Sequence, residues 1–271
     1  MRSCVAAFLF STMLSGAAFA ASPEAGYNWS GVYVGGNVGA GWTAGGSLEG
    51  VGYHDGPYYG TYNNGWFDSE QNSKSSSATA GLQLGYNYQL GLFVVGLETD
   101  LNYVNAEKSY VTSYSEDLYP YPDTRPDYNY HLREKLRATT SVDWFGTLRV
   151  RLGMTPIDRL LVYATGGAAY GQVAGSAGYG WHEYGFWWGI GDHFFDRTGG
   201  FAGSSSSVRW GWTLGAGAEY AITDHVTIKG EYLYVDLGSQ DYIIPASPMG
   251  TESITWKSNT QLNILRLGMN Y

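Results

Sequence analysis

Hydrophobic and polar residues alternate strictly along one stretch of the chain. From Ala78 to Leu90 every even position carries Ala, Leu or Tyr, and every odd position between them carries Thr, Gly, Gln or Asn. This period of two predicts a β-strand whose two faces meet different surroundings. Strands of soluble sandwiches are about half as long, whereas a tilted strand of about ten residues crosses a bilayer.

The same alternation recurs along the chain and predicts eight strands. They cover residues 31–42, 78–90, 92–103, 141–154, 160–173, 209–221, 225–235 and 265–271, with 160–173 the least regular because it is rich in Gly and Ala. Short connections near 90–92, 155–159 and 223–225 alternate with long ones over 43–73, 104–139, 174–207 and 238–258. The pattern predicts an all-β fold, an eight-stranded antiparallel up-and-down transmembrane β-barrel with four long extracellular loops and short periplasmic turns.

Aromatic residues on the apolar faces fall at two heights. Counted from the short turns, the lower group is Tyr86, Tyr88, Phe93, Tyr220 and Tyr271, and the upper group is Trp42, Tyr103, Trp144, Trp210 and Trp212. Two girdles of this kind are expected where aromatic rings lie at both membrane–water interfaces.

Composition narrows the class of protein further. Charged residues make up only 14% of the 271 residues, while the chain holds 39 Gly and 24 Tyr. The net charge of −9 counts against nucleic-acid binding, which needs a basic footprint. A mean hydropathy of −0.22 counts against a helical membrane protein.

The first twenty residues have the pattern of a secretory signal peptide. Arg2 precedes an apolar stretch that ends in Ala18-Phe19-Ala20, which predicts cleavage after Ala20 and a barrel domain over 21–271. The stretch is too short for a transmembrane anchor, which needs about 20 residues. Because the single cysteine, Cys4, precedes the cleavage site, no disulfide is expected in the processed chain.

Short glycine- and aromatic-rich motifs mark several of the predicted strands. They lie at 28–37 (NWSGVYVGGN), 82–88 (LQLGYNY), 95–98 (VGLE), 231–238 (EYLYVDLG) and 265–271 (LRLGMNY). The set resembles the small porin-family surface antigens of Gram-negative bacteria, across the whole chain after residue 20. The resemblance implies an OmpA-like barrel without a peptidoglycan-binding domain, a role in envelope integrity, and contacts with hosts or surroundings.

The resemblance also gives the last residues a role. Leu267, Met269 and Tyr271 are similar to the C-terminal signal by which the barrel-assembly machinery recognises this family. Members often run two residues further to a final Phe, so the present ending departs from the family pattern.

Charged residues on the polar faces are the most specific chemical feature. They are Glu98, Asp100, Asp143, Arg149, Arg151, Arg209, Glu219, Lys229, Glu231 and Arg266. Facing lipid, an Arg or Lys would cost about 2–4 kcal/mol at the bilayer midplane, so these side chains are expected to point inward and pair. The prediction is a structural charge network in a narrow lumen; the alternative is an ion-selective constriction in a small pore.

Catalytic, cofactor and metal sites are not expected. Four of the five histidines (His54, His131, His182 and His193) fall in predicted loops and His225 at a short turn, and no spacing matches a metal signature. The expected partners are outer-membrane lipid and lipopolysaccharide. The aromatic residues Trp181, Tyr184, Phe186, Trp187 and Trp188 are candidate loop contacts for an extracellular ligand, as in an adhesin, or else pack over the barrel mouth.

Overall fold

A computed structural model describes residues 27–43, 49–52, 67–68, 76–118, 128–187, 193–245 and 253–271. These residues form ten strands: β1 (Gly31–Thr43), β2 (Glu49–Gly52), β3 (Phe67–Asp68), β4 (Ser76–Leu90), β5 (Phe93–Leu118), β6 (Tyr128–Ile157), β7 (Leu160–Trp187), β8 (His193–Ala221), β9 (Thr227–Pro245) and β10 (Ser253–Asn270). Within this described part no helix is long and apolar enough to cross a membrane.

Eight of the strands close into a barrel. Each long strand pairs antiparallel with its neighbour in the order β1-β4-β5-β6-β7-β8-β9-β10, and β10 pairs back onto β1. At this seam Val34 and Tyr271 exchange two backbone hydrogen bonds of 2.8 and 3.0 Å. The ring confirms the predicted eight-stranded up-and-down topology, and closure leaves no unpaired strand edge within it. The short β2 pairs with the upper part of β10, above the contact of β10 with β1, and β3 pairs with β2.

Tight turns close one end of the barrel. Leu90 pairs with Phe93 and Ile157 with Leu160, so each of these hairpins has a two-residue loop. Gly91 and Arg159 adopt positive φ angles of 62° and 63° in these loops, the left-handed conformation that tight hairpin turns require. Together with the turn over 222–226, they confirm the three predicted short connections.

The outer face of the barrel is apolar. Large hydrophobic side chains are exposed along every barrel strand, among them Leu82 at 71%, Leu267 at 68% and Val32 at 65%. The upper aromatic girdle is continuous across three strands: the Tyr170 ring lies 6.1 Å from Trp144 and 5.3 Å from Trp210. An apolar band with an aromatic border is the face that a barrel presents to hydrocarbon.

Most of the predicted long loops are strand. β5 and β6 pair as far as Leu118 and Tyr130, and β7 and β8 pair as far as Trp187 and His193. The sequence prediction was wrong here because it relied on apolar–polar alternation. Above the membrane both faces of a strand can meet water, so Ser, Thr and Gly occur on either side and the alternation disappears.

One register shift also misled the sequence pattern. β6 carries a bulge between Val142 and Trp144, with Asp143 as the extra residue. A bulge reverses the facing of every residue beyond it. Alternation over residues 141–154 predicts that Val142 faces lipid, but its side chain is only 2% exposed and lies inside the barrel.

Candidate functional site: a sealed ion-pair network

Eight ionisable side chains meet in the lower half of the barrel interior, each exposed by 4% or less. They are Glu98 and Asp100 on β5, Arg149 and Arg151 on β6, Glu219 on β8, Lys229 and Glu231 on β9, and Arg266 on β10. Strict alternation aims all eight at the lumen, and strand register places Glu98 opposite Arg149 and Glu231 opposite Arg266. Four carboxylates and four cations make the cluster electrically neutral.

Four of these groups form a closed cycle across the lumen. Arg149 reaches Asp100 at 2.7 Å and Glu231 at 3.0 Å. Arg266 reaches the same two carboxylates, at 2.8 and 2.5 Å. The cycle therefore joins β5 and β6 to β9 and β10, which lie on the opposite side of the ring. Charge-assisted bonds of this kind are about twice as strong as neutral ones and fix the geometry of both partners.

Glu98 lies at the centre of the network. Its carboxylate is 2.9 Å from the Lys229 ammonium, 3.3 Å from Arg151 and 3.5 Å from Arg266, and it also accepts a short hydrogen bond from Arg149. All four cations of the network thus contact the same carboxylate, that of Glu98. Removal of Glu98 would leave four buried cations with three carboxylates.

Two tyrosines complete the coordination of Arg151. Its guanidinium pairs with Glu219 at 2.6 Å and lies 3.9 Å from the centre of the Tyr163 ring. The Tyr33 hydroxyl donates to Glu98 at 2.6 Å and accepts from Arg151 at 2.6 Å. Alternation with Val32 and Val34 predicts that Tyr33 faces inward, but the sequence does not mark either tyrosine as a partner of the charges.

Amide side chains fill the side of the lumen where β1 and β4 contribute no charge. Glu219 accepts hydrogen bonds from Thr227 at 2.5 Å and Asn270 at 2.7 Å. Gln83 then links Asn270 (2.5 Å) to Asn37 (3.1 Å). These hydrogen-bonded amides occupy the lumen on this side.

Apolar side chains seal the network from above and below. The upper cluster is fully buried and consists of Val104, Ala106, Val142, Phe145, Ala169, Val173, Leu233, Val235, Leu237, Leu262 and Ile264. The lower cluster consists of Trp29, Val94, Leu161, Tyr163 and Ala221, with Tyr27 packed against it. On β5, for example, Val94 lies below Glu98 and Asp100, and Val104 lies above them. The charged groups therefore form a dry layer between the two clusters. The alternation along the sequence does not reveal either layer, because at these heights the inner positions are as hydrophobic as the outer ones.

Two of the predicted inward charges lie apart from the network. Asp143 is the bulge residue of β6 and makes no ion pair among the described residues. Arg209 lies on β8 opposite Gly171 of β7, next to the girdle residue Trp210, and donates to the backbone carbonyl of Ser239 at 2.5 Å. Their assignment to the network was wrong, since alternation predicts which face a side chain takes but not whether partners lie at its height.

Comparison with known proteins identifies the family. The profile of the outer membrane protein beta-barrel domain matches residues 7–264. The chain belongs to this family. It is 32% identical to the 31 kDa outer-membrane immunogenic protein of Brucella melitensis, over 93% of this chain and 86% of that one. It is 28% identical to the 22 kDa outer membrane protein of Rhizobium leguminosarum, over 68% of this chain and 63% of that one.

Solved barrels overlap with this family member at low similarity. OprG from Pseudomonas aeruginosa gives a TM-score of 0.36 at 9% identity, and Neisserial surface protein A gives 0.34 at 11%. In both cases 89% of this chain and 96% of the other are covered. The assignment therefore rests on the sequence matches and makes the chain an outer-membrane β-barrel.

The C-terminal residues of this outer-membrane barrel lie at the seam. The side chains of Leu267, Met269 and Tyr271 all face outward, with Tyr271 72% exposed. Their proposed role as an assembly signal stays a prediction. So does cleavage after Ala20, because residues 1–26 lie outside the described part of the chain.

The predicted loop aromatics belong to the extended β7 strand. The Tyr184 ring stacks on His131 at 4.6 Å, and the Trp181 ring occupies the space that a Cβ atom at Gly199 would need. The backbones of Phe186 and Trp187 are paired with β8. Trp188 lies outside the described residues.

The histidines in the described part of the chain do not form a metal cluster. Over the described ranges, no group of three or more His, Cys, Asp or Glu side chains could hold a metal ion. His182 instead hydrogen-bonds Asp196 at 2.8 Å on the surface. His54 lies outside the described residues.

Proposed function

We propose that the protein is a closed structural barrel that supports the integrity of the outer membrane and displays its extended strands at the cell surface. The observation that carries this proposal is the layered interior, in which a neutral ion-pair network lies between two apolar clusters. Breaking a buried ion pair leaves an uncompensated charge, so such a network favours one rigid arrangement of the barrel strands.

A small-solute pore is the alternative that this interior argues against. Conduction needs a continuous polar or hydrated path. Here eleven buried apolar residues lie in the lumen above the charged groups, and those groups are ion-paired with one another. An ion entering from outside would first have to cross this apolar cluster.

A surface-contact role is a second candidate, favoured by the length of the strands. β5 to β8 continue well beyond the aromatic girdle as a paired sheet, which carries exposed and half-buried aromatic and basic side chains. A rigid sheet presents such groups to a partner at lower entropic cost than a flexible loop does. An adhesin would use this sheet.

Deletion of the gene and complementation test the structural role. We expect the deletion strain to become permeable to hydrophobic dyes and sensitive to detergents, and the wild-type gene to restore resistance. A variant lacking the sheet above the girdle should restore resistance equally well if that sheet serves only surface contact. An intact permeability barrier in the deletion strain, combined with slower uptake of small solutes, would contradict the structural role and favour the pore.

A further inference from the structure

A column of basic side chains runs up the outer face of β6, above the upper aromatic girdle. Arg133, Lys135 and Arg137 are spaced by two residues and are all exposed. The bulge at Asp143 makes the odd positions beyond it face outward, on the side that continues the lipid-facing surface. The column therefore faces sideways over the membrane rather than into the barrel.

The cations of this column differ from those of the lumen. Each cation of the ion-pair network contacts at least one carboxylate. Lys135 and Arg137, by contrast, make no hydrogen bond or ion pair with any residue in the described part of the chain. On the neighbouring strand β7 they lie beside Gly180 and Gly178, which bring no counter-charge.

A shallow depression adjoins the two unpaired cations. It has a volume of about 480 Å³ and is lined by Lys135 and Arg137 together with Gly178, Tyr179, Gly180, Gly200, Phe201 and Ala202. The two cations form one wall, and the residues of β7 and β8 form the floor. A site with these walls suits a sugar-sized group that carries a negative charge, because Lys and Arg recognise phosphate and carboxylate oxygens.

The height of the depression indicates which anion it meets. On β7, Gly178 in the depression lies eight positions beyond Tyr170 in the girdle. At about 3.3 Å per residue and a strand tilt of about 40°, the depression lies roughly 20 Å above the girdle. Groups that face sideways at this level meet the sugars attached to the lipids of the outer leaflet.

We propose that Lys135 and Arg137 bind an anionic sugar, bearing phosphate or carboxylate, in the core oligosaccharide of the surrounding lipopolysaccharide. Charge complementarity, the unpaired state of both cations and the sideways orientation favour a membrane-anchored glycolipid as the occupant. The contact would hold a shell of glycolipid around the extended sheet. It does not depend on whether the lumen conducts.

A charge-matched pair of variants tests the proposal. The test variant carries Lys135→Gln and Arg137→Gln. The control carries Arg159→Gln, at the lower turn beside Asp224, and Arg197→Gln, paired with Glu183 on the same sheet. Both variants lose two positive charges. Heat-modifiable migration on gels verifies that each barrel is folded.

Each protein, in phospholipid nanodiscs, is titrated with lipopolysaccharide that has a complete core and with lipid A that has none. We expect the test variant to bind full-core lipopolysaccharide roughly 30-fold more weakly than wild type, and the control to bind like wild type. Binding of lipid A should be equal for all three proteins. Equal affinity of test variant and wild type for the full core would overturn the proposal.

Two other outcomes would also overturn it. An equal loss of affinity in the control variant would mean that net charge, and not this site, drives binding. A soluble sulfated polysaccharide serves as the last probe. If the test variant lost affinity for that polyanion while keeping its affinity for lipopolysaccharide, the site would serve a soluble partner instead.

Discussion

Arg149 and Arg266 project from strands on opposite sides of the barrel and bind the same two carboxylates, Asp100 and Glu231. Both carboxylates lie within 3.0 Å of both guanidinium groups. The barrel is thus braced across its width as well as around its circumference, where the backbone ladder acts.

Loss of the central carboxylate should destabilise the barrel strongly. Glu98→Gln keeps the shape of the side chain but leaves four buried cations against three carboxylates. We expect the free energy of unfolding to fall by about 3–5 kcal/mol, as measured by denaturant titration in detergent. Glu107→Gln, at an exposed position of the same strand, is the matched control and should change stability by less than about 0.5 kcal/mol. Similar values for the two variants would contradict the sealed network.

The salt dependence of stability should distinguish the buried ion pairs from the ion pair on the surface. The Arg159–Asp224 pair at the lower turn has exposed side chains, so any effect of Arg159→Gln should shrink as sodium chloride screens the charges. Groups inside a dry layer are screened far less. The destabilisation caused by Glu98→Gln should therefore be the same at low and high salt. A strong salt dependence would mean that water and ions reach the lumen.

The upper apolar cluster should behave as a packed core. Phe145 is fully buried within it, so Phe145→Ala should lower the free energy of unfolding by about 3–5 kcal/mol through lost burial and cavity formation. Phe93→Ala, on the lipid face, where Phe93 is 61% exposed, provides the control. We expect a clearly smaller loss there. Equal losses would show that the interior cluster is loosely packed or hydrated.

Gly85 leaves the space that Tyr33 occupies. A Cβ atom at this position would lie 2.3 Å from the Tyr33 ring and 2.8 Å from the Leu97 carbonyl oxygen. Gly85→Ala should therefore displace the Tyr33 hydroxyl from Glu98 and Arg151 and destabilise the barrel by about 1–3 kcal/mol, measured by the same titration. Gly36→Ala has its nearest contact at 3.7 Å and should be tolerated. A stable Gly85→Ala barrel would mean that Tyr33 does not contribute to the network.

The sequence predicted those features that depend on alternation between lipid and lumen. Leu82 and Gln83 illustrate this: adjacent residues take opposite faces, and their chemistry reveals which is which. The prediction failed where residues on the inner and outer faces of a strand are equally hydrophobic. Leu233 and Tyr232 are both hydrophobic, so the apolar layer on the inner side of β9 could not be distinguished from a continuous apolar run.

The candidate site was predictable in type but not in detail. Glu98 and Arg149 could be expected to meet because neighbouring strands place them at equal height. The contacts of Arg266 with Asp100 span the lumen, and no spacing along the chain encodes them. Above the membrane the bulge at Asp143 changed which residues face outward, so the basic column on β6 became visible only in the structure.

The conductance of the purified barrel in a planar lipid bilayer tests the sealed interior most directly. A neutral network between two apolar layers predicts that inserted wild-type protein leaves the current at the level of the bare bilayer across the voltage range. Insertion is verified independently by protease protection in vesicles from the same preparation. Reproducible stepwise openings with ion selectivity would contradict the account.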